Sequence, residues 1–281
     1  MITALPLRDY RSAIALDEPF RPLSPPAPAR RLGVVTAEAL RLLGEDPWVG
    51  RFALPRGLAE RRRLLRHLLT VREPAALDPE LLGVLDAVLG GERQVGPLVD
   101  VRTLPGPVWR GDITHLMADA IVNAANDALL GCFQPGHPCV DNAIHAAAGP
   151  RLRADCHRIM TAQAAPEPTG TAKITRGYHL PAPFVLHTVG PIVRGKVLPA
   201  HETALSDSYR SCLDLAAEVE KIRTIAFCGI STGIFGFPKR AAARIAAGTV
   251  VDWLAAHPGR FDRVVFTTFS DEDDDAYREL L

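Results

Sequence analysis

The chain has 281 residues, 47% of them hydrophobic, and its 32 basic side chains balance 32 acidic ones. That suits one large domain or a domain with a sizeable extension, and zero net charge supplies no global positive field to gather nucleic acid or anionic membrane. No apolar run of about eighteen residues occurs, and Met1 to Arg11 lacks the basic-then-apolar pattern of a secretory signal, so a cytoplasmic protein is expected, with neither membrane nor nucleic acid as partner. Five cysteines in a chain too large to need disulfide staples read as thiols or metal ligands. With 28 arginines to 4 lysines and abundant alanine, the composition points to a GC-rich bacterial genome.

In chain order, residues 1 to about 31 carry six prolines and no sustained period, which predicts an irregular arm lying on the protein or partly mobile. From Thr36, leucines recur at helical spacing through Leu43, again from Leu58 to Leu69, and once more from Asp78-Pro79 to Leu89. Two or three amphipathic helices are predicted there, closed by Gly90-Gly91. Arg61, Arg62, Arg63 and Arg66 read as a solvated face of the second helix. Beyond residue 96, short apolar runs (Ala120 to Val122, Phe184 to Val189, Thr224 to Cys228, Val264 to Phe269) alternate with helical patterns near Ala143 to Met160, Ala204 to Val219, Ala241 to Leu254 and Asp274 to Leu281. This predicts an α/β layer sandwich over residues 96–281, preceded by an arm and helical extension over residues 1–95. The acids of Asp271 to Asp275 follow Ser270, as at a capped helix start.

Cys132, His137 and Cys139 supply two thiolates and an imidazole within eight residues, on a loop where glycines and prolines forbid regular structure. That is a donor set zinc prefers; Cys156, His145 and Asp141 are candidates for a fourth ligand, and without one the metal keeps an open position. Asn123 and Asn126 follow a short apolar strand, at the end where open α/β sheets bind ligands, and offer donors and acceptors to sugar hydroxyls. The loop Gly229 to Pro238, between a strand and a helix, can present successive amides to phosphate oxygens. No Gly-Lys-Ser/Thr follows, so the loop should bind a diphosphate without cleaving it. Phe235 and Phe237 can cover a ring or pack. Asp112 can accept from an exocyclic amine or cap a turn. His187, in an apolar strand, reads as a core histidine.

Gly-Asp-Ile-Thr from Gly111, Ile-Val-Asn-Ala-Ala-Asn from Ile121, Val-Asp-Asn-Ala-Ile-His-Ala-Ala-Ala-Gly from Val140, His-Thr-Val-Gly-Pro from His187 and Ile-Ser-Thr-Gly-Ile-Phe-Gly-Phe-Pro from Ile230 occur in the order found in macrodomains. The chain therefore resembles the macrodomain family of ADP-ribose-binding proteins, over roughly residues 32 to 281. Its Cys-Phe-Gln-Pro-Gly-His-Pro-Cys insertion and helical extension look like the zinc-containing bacterial subclass. The resemblance implies a three-layer αβα domain with a mixed sheet. Adenine would lie against Asp112 and Ile113, with Phe269 as a stacking wall, and diphosphate on Ser231 to Phe235. The distal ribose would meet Asn126, Asp141 and one zinc ion on Cys132, His137 and Cys139. It further implies a hydrolase that releases mono-ADP-ribose from protein, with a lipoyl carrier protein as one possible partner.

For a carboxylate-linked substrate the leaving group is good at neutral pH, so Asp141 is expected to position or deprotonate water, Asn126 to hold the ribose, and His145, one turn beyond Asp141, to act behind them. A non-catalytic ADP-ribose reader and a deacylase of O-acyl-ADP-ribose are the alternatives the same cleft would serve.

Overall fold

A computed structural model describes residues 4–46 and 52–281, so the first three residues of the N-terminal arm and the short stretch at 47–51 within the extension lie outside it. Strands β4 (Ala120–Ala124), β6 (Phe184–Thr188), β7 (Thr224–Phe227) and β8 (Arg263–Thr268) are buried at nearly every position. Continuous burial is what a parallel strand covered on both faces requires. With β2 (Val108–Arg110) and β5 (Ala172–Arg176) at the two edges they form one six-stranded sheet, ordered β2-β8-β7-β4-β6-β5. All neighbours run parallel except β5, which is antiparallel to β6, so the sheet is mixed. A separate parallel pair joins β1 (Val99–Asp100) to β3 (Leu116–Met117).

Alternate strand residues face opposite layers. Val122, Leu186, Phe227 and Phe266 share a core with α7 (Pro199–Ala217) and α8 (Lys239–Ala256), whereas Ile121, Val185, Ala226 and Val265 share one with α5 (Val140–Ala148) and α6 (Pro150–Gln163). The architecture is the three-layer αβα sandwich. The single helix expected from Ala143 to Met160 is broken at Gly149, whose φ is +89° and whose added Cβ would stand 2.6 Å from Leu89 Cδ1. The last helix, α9 (Asp271–Arg278), starts directly after the expected cap Ser270, whose Oγ accepts from the Asp273 amide while Asp273 Oδ2 accepts from that of Ser270.

The extension comprises α2 (Leu32–Leu43), α3 (Leu58–Val71) and α4 (Pro79–Val95), packed around Leu40, Leu43, Leu65, Leu69, Leu85 and Val88. Gly90-Gly91 do not end α4 as expected. They admit the arm, since a Cβ on Gly91 would collide with the Ala27 carbonyl. From residue 4 the arm is ordered: it forms the single turn α1 (Leu7–Tyr10), and Leu7, Tyr10, Ile14 and Leu16 enter the sandwich core. Tyr10 Oη accepts the Ile174 amide of edge strand β5 at 3.0 Å. The extension is clamped to the sandwich at Asp86, which accepts from the Leu23 amide at 2.7 Å, from Arg151 Nη2 at 2.8 Å, and faces His179 Nε2 at 2.9 Å. No helix among the described residues is long and apolar enough to cross a membrane.

Candidate active site

A cleft of about 610 Å³ lies beyond the C-terminal ends of β2, β4, β7 and β8, a volume suited to a nucleotide-sized ligand. At one end, Asp112 caps the turn Ile113–His115: its Oδ1 accepts from the Thr114 amide at 2.9 Å and Thr114 Oγ1 at 2.7 Å. Oδ2 has no partner among the described residues, so a cap and a ligand contact are compatible. Ile113 is buried in the wall, and Phe269 stands 80% exposed at the rim, where a ring could stack on it. Sequence alone left the two phenylalanines of the 229–238 loop undecided, and the structure separates them. Phe237 is buried in the core, whereas Phe235 lines the cleft.

That loop turns tightly, with Ser231 at φ +64° and bonds from Phe237 N to Ser231 O (2.9 Å) and Gly236 N to Gly233 O (3.0 Å). The amides of Thr232, Gly233, Ile234 and Phe235 donate to no protein group among the described residues, leaving them for an anion. Lys239 also lines the cleft, a residue that sequence reasoning passed over. Its Nζ is held by Ser270 Oγ at 2.9 Å and by Glu272 and Asp273 at 3.2 Å, so it ties α8 to the cap of α9.

The other end is the cysteine loop. Cys132 Sγ lies 3.7 Å from Cys139 Sγ and 3.7 Å from His137 Nδ1. Around a tetrahedral zinc the corresponding edges are about 3.8 Å and about 3.5 Å, from bond lengths of about 2.3 Å to sulfur and about 2.0–2.1 Å to nitrogen. These donors therefore fit such an ion. Burial, and then the neighbouring Cys132, push the Cys139 thiol up to about 12, against the pull of the Asn142 amide. Two thiols this close resist joint ionisation unless a cation sits between them. Of the fourth-ligand candidates, His145 and Cys156 belong instead to a separate buried group with His187, and Asp141 is not grouped with the three donors among the described residues.

Backbone restrictions shape this loop. Leu129, Gly131, Phe133 and Gly136 all have positive φ, from +52° to +85°. Asn126 closes its entry, with Nδ2 donating to Gly131 O at 2.9 Å and Oδ1 accepting from the Ala128 amide at 3.1 Å. Asn142 Nδ2 closes its exit by donating to Gln134 O at 2.9 Å and His137 O at 3.2 Å. Cys139 Sγ also caps α5, accepting from the Asn142 amide at 3.4 Å, which frees Asp141 from that task.

Asp141 is 4% exposed and reaches the cleft wall. Burial raises its pKa to about 6, against the pull of Asn123 and Arg153. Asn123, expected to bind ligand, is fully buried and does not line the cleft. Its Nδ2 donates to Asp141 Oδ1 at 2.8 Å and meets His187 Nδ1 at 3.2 Å. His187 thus accepts at Nδ1, and its Nε2–H donates to Thr175 Oγ1 at 2.9 Å, a satisfied core histidine. His145 Nε2 lies 3.5 Å from Asp141 Oδ1, and burial drives its pKa well down, so the ring is neutral.

Arg153 is the participant that sequence reasoning missed. Its Nη1 donates to Leu69 O (2.7 Å) and Arg72 O (2.6 Å) at the end of α3, while its guanidinium lies 4.6 Å from the ring centre of Phe133 in the cysteine loop. One buried side chain joins the extension to the loop.

A sandwich of this topology, with a ligand cleft at its strand ends and an amide-lined loop before a helix, defines a class that sequence comparison identifies directly. The Macro domain family matches residues 122–246. A protein-ADP-ribose hydrolase of Treponema medium is 46% identical over 85% of this chain and 95% of its own length. One from Staphylococcus aureus (strain MRSA252) is 43% identical over 81% and 87%. Among solved structures, a Trypanosoma brucei macrodomain in complex with ADP-ribose matches with a TM-score of 0.59 and 33% identity, over 73% of this chain and 91% of that one. The chain belongs to the macrodomain family.

Proposed function

We propose that the chain hydrolyses the linkage between ADP-ribose and a protein side chain, with one zinc ion held by Cys132, His137 and Cys139. The observation that carries this reading is that a buried carboxyl, Asp141, and the clustered Cys132, His137 and Cys139 line one end of a cleft whose other end is suited to a nucleotide. The two bacterial relatives named as protein-ADP-ribose hydrolases support the same chemistry.

Adenine lies between Ile113 and Phe269 with Asp112 Oδ2 on its amine, and the diphosphate takes the free amides of Thr232 to Phe235. The distal ribose then comes to Asn126 and Asp141. Asn123 pins Asp141 Oδ1, leaving Oδ2 to orient water toward the anomeric carbon and to take its proton. A carbon–oxygen bond forms to that water as the bond to the protein carboxylate breaks, and the carboxylate departs with the electron pair. When bound, zinc supplies Lewis-acid polarisation of oxygen at this end of the cleft. Asn123 fixes the carboxyl from behind, and the neutral His145 ring packs beside it at 3.5 Å. A lipoyl carrier protein is the partner that resemblance to the zinc-containing subclass suggests.

The test is to incubate the protein, beside its His137→Ala variant, with a mono-ADP-ribosylated carrier protein and to quantify free ADP-ribose. Release by the wild type and its loss in the variant is the expected result. Binding of ADP-ribose without release by either protein would make the chain a reader.

A further inference from the structure

A second cavity, about 750 Å³, shares Asp112, His137, Pro138, Cys139 and Ala143 with the cleft, but its far wall belongs to the helical extension. Arg62, Arg63 and Arg66 of α3 and Arg93 of α4 line it, and Glu92 is the one carboxylate on that wall. Arg62 and Arg66 both turn to Glu92, the latter at 3.8 Å. Arg63 and Arg93 are exposed and have no carboxylate partner among the described residues. Four guanidinium groups against two carboxylates, Glu92 and, on the opposite wall, Asp112, leave a local excess of positive charge in a chain whose net charge is zero. In a concave site with low-dielectric walls that excess is focused. Apolar surface accompanies it: Val95 and Leu98, also lining the cavity, are 49% and 45% exposed.

We propose that this groove receives the segment of the modified protein that flanks the ADP-ribosylated side chain, and that the segment is acidic and carries an aliphatic residue. The inference rests on the hydrolase reading. A substrate whose distal ribose lies at Asp141 must lead its polypeptide away past the cysteine loop, and residues 137–139 of that loop border both cavities. The 14 residues of α3 span about 21 Å, room for roughly six residues of extended chain. Unpaired arginines and half-exposed aliphatic side chains then meet carboxylates and an apolar side chain. The extension thereby selects the protein, while the cleft recognises the ADP-ribose.

The Arg63→Glu/Arg93→Glu variant reverses two exposed charges that the fold does not use. The probe is a short fluorescein-labelled peptide of alternating glutamate and leucine, beside an oligonucleotide of equal charge. The wild type should bind the peptide, about tenfold more tightly than the variant, and added salt should narrow the gap. ADP-ribose affinity should be equal in the two proteins, and KM for release from an acidic ADP-ribosylated carrier should rise in the variant with kcat unchanged. Equal peptide binding, tighter binding of the oligonucleotide, or an unchanged KM would overturn the docking assignment while leaving the hydrolase reading intact. Absence of release by the wild type would overturn the hydrolase reading, and the assignment with it.

Discussion

Asp141 is held by opposed demands. Its burial disfavours charge, yet Asn123 and the positive Arg153 favour it, so the carboxyl is kept in one orientation without being tied up at both oxygens. The Asp141→Ala variant should keep ADP-ribose affinity within about twofold by calorimetry and lose at least about a hundredfold in turnover, the scale of a lost general base. Loss of binding together with turnover would make Asp141 a structural residue. Cys139 caps α5 and, in the proposed zinc site, is also a metal donor. Cys139→Ser and Cys139→Ala should both reduce bound zinc from one equivalent to nearly none, and the alanine should cost about 1 kcal/mol more stability because it also removes the cap. Full zinc occupancy in either variant would take Cys139 out of the donor set.

At the scale of elements, the cysteine loop is shaped from outside as well as by its own glycines. Phe133, a residue with φ +52°, is held in that conformation under the Arg153 guanidinium, which in turn caps the carbonyls ending α3. Arg153→Ala should destabilise the protein by roughly 3 kcal/mol, leaving two buried carbonyls without donors. It should also weaken zinc about tenfold or more in a chelator competition, with Arg153→Lys between the two because it keeps one bond and loses the stacking. Equal zinc affinity in all three proteins would show that the loop keeps its shape without α3. The clustering of Cys132, His137 and Cys139 was legible in the sequence because the three lie within eight residues on one loop. Arg153 was not, because its partners lie more than eighty residues earlier and a long-range bond leaves no periodic trace. Strand β5 was absent from the predicted strands for another reason. Its buried Lys173 breaks the apolar pattern and is admitted by a fully buried pair with Glu167, Nζ to Oε2 2.6 Å. Asn123 was misjudged for a different reason. Residue type announces a polar role, but only strand register shows that its amide faces Asp141 beneath the cleft rather than the cleft.

For the molecule as a whole, the strand and helix alternation of residues 96–281 and the leucine spacing of the extension were readable, whereas the joint between them was not. That joint is Asp86. Burial alone would raise its carboxyl, but His179, Arg151 and the Leu23 amide more than offset this and bring it to about 2. A folded-state value below the ordinary carboxylate range means that the stabilisation is complete above about pH 4 and is lost as pH falls toward 2. The extension should therefore become protease-sensitive in that acid window before the sandwich unfolds, and Asp86→Asn should show the same sensitivity at neutral pH. Coincident release of both parts at every pH would mean that the clamp is not what joins them.

The contact between Tyr10 and the Ile174 amide bears on how copies of this chain treat one another. An edge strand with unpaired amides is a template for pairing with a second strand, and here the arm occupies one of those amides and packs beside it. A chain trimmed to its cleft-bearing sandwich would present β5 uncovered and gain a route to edge-to-edge self-association. The arm is thus a guard on this one edge of the sheet.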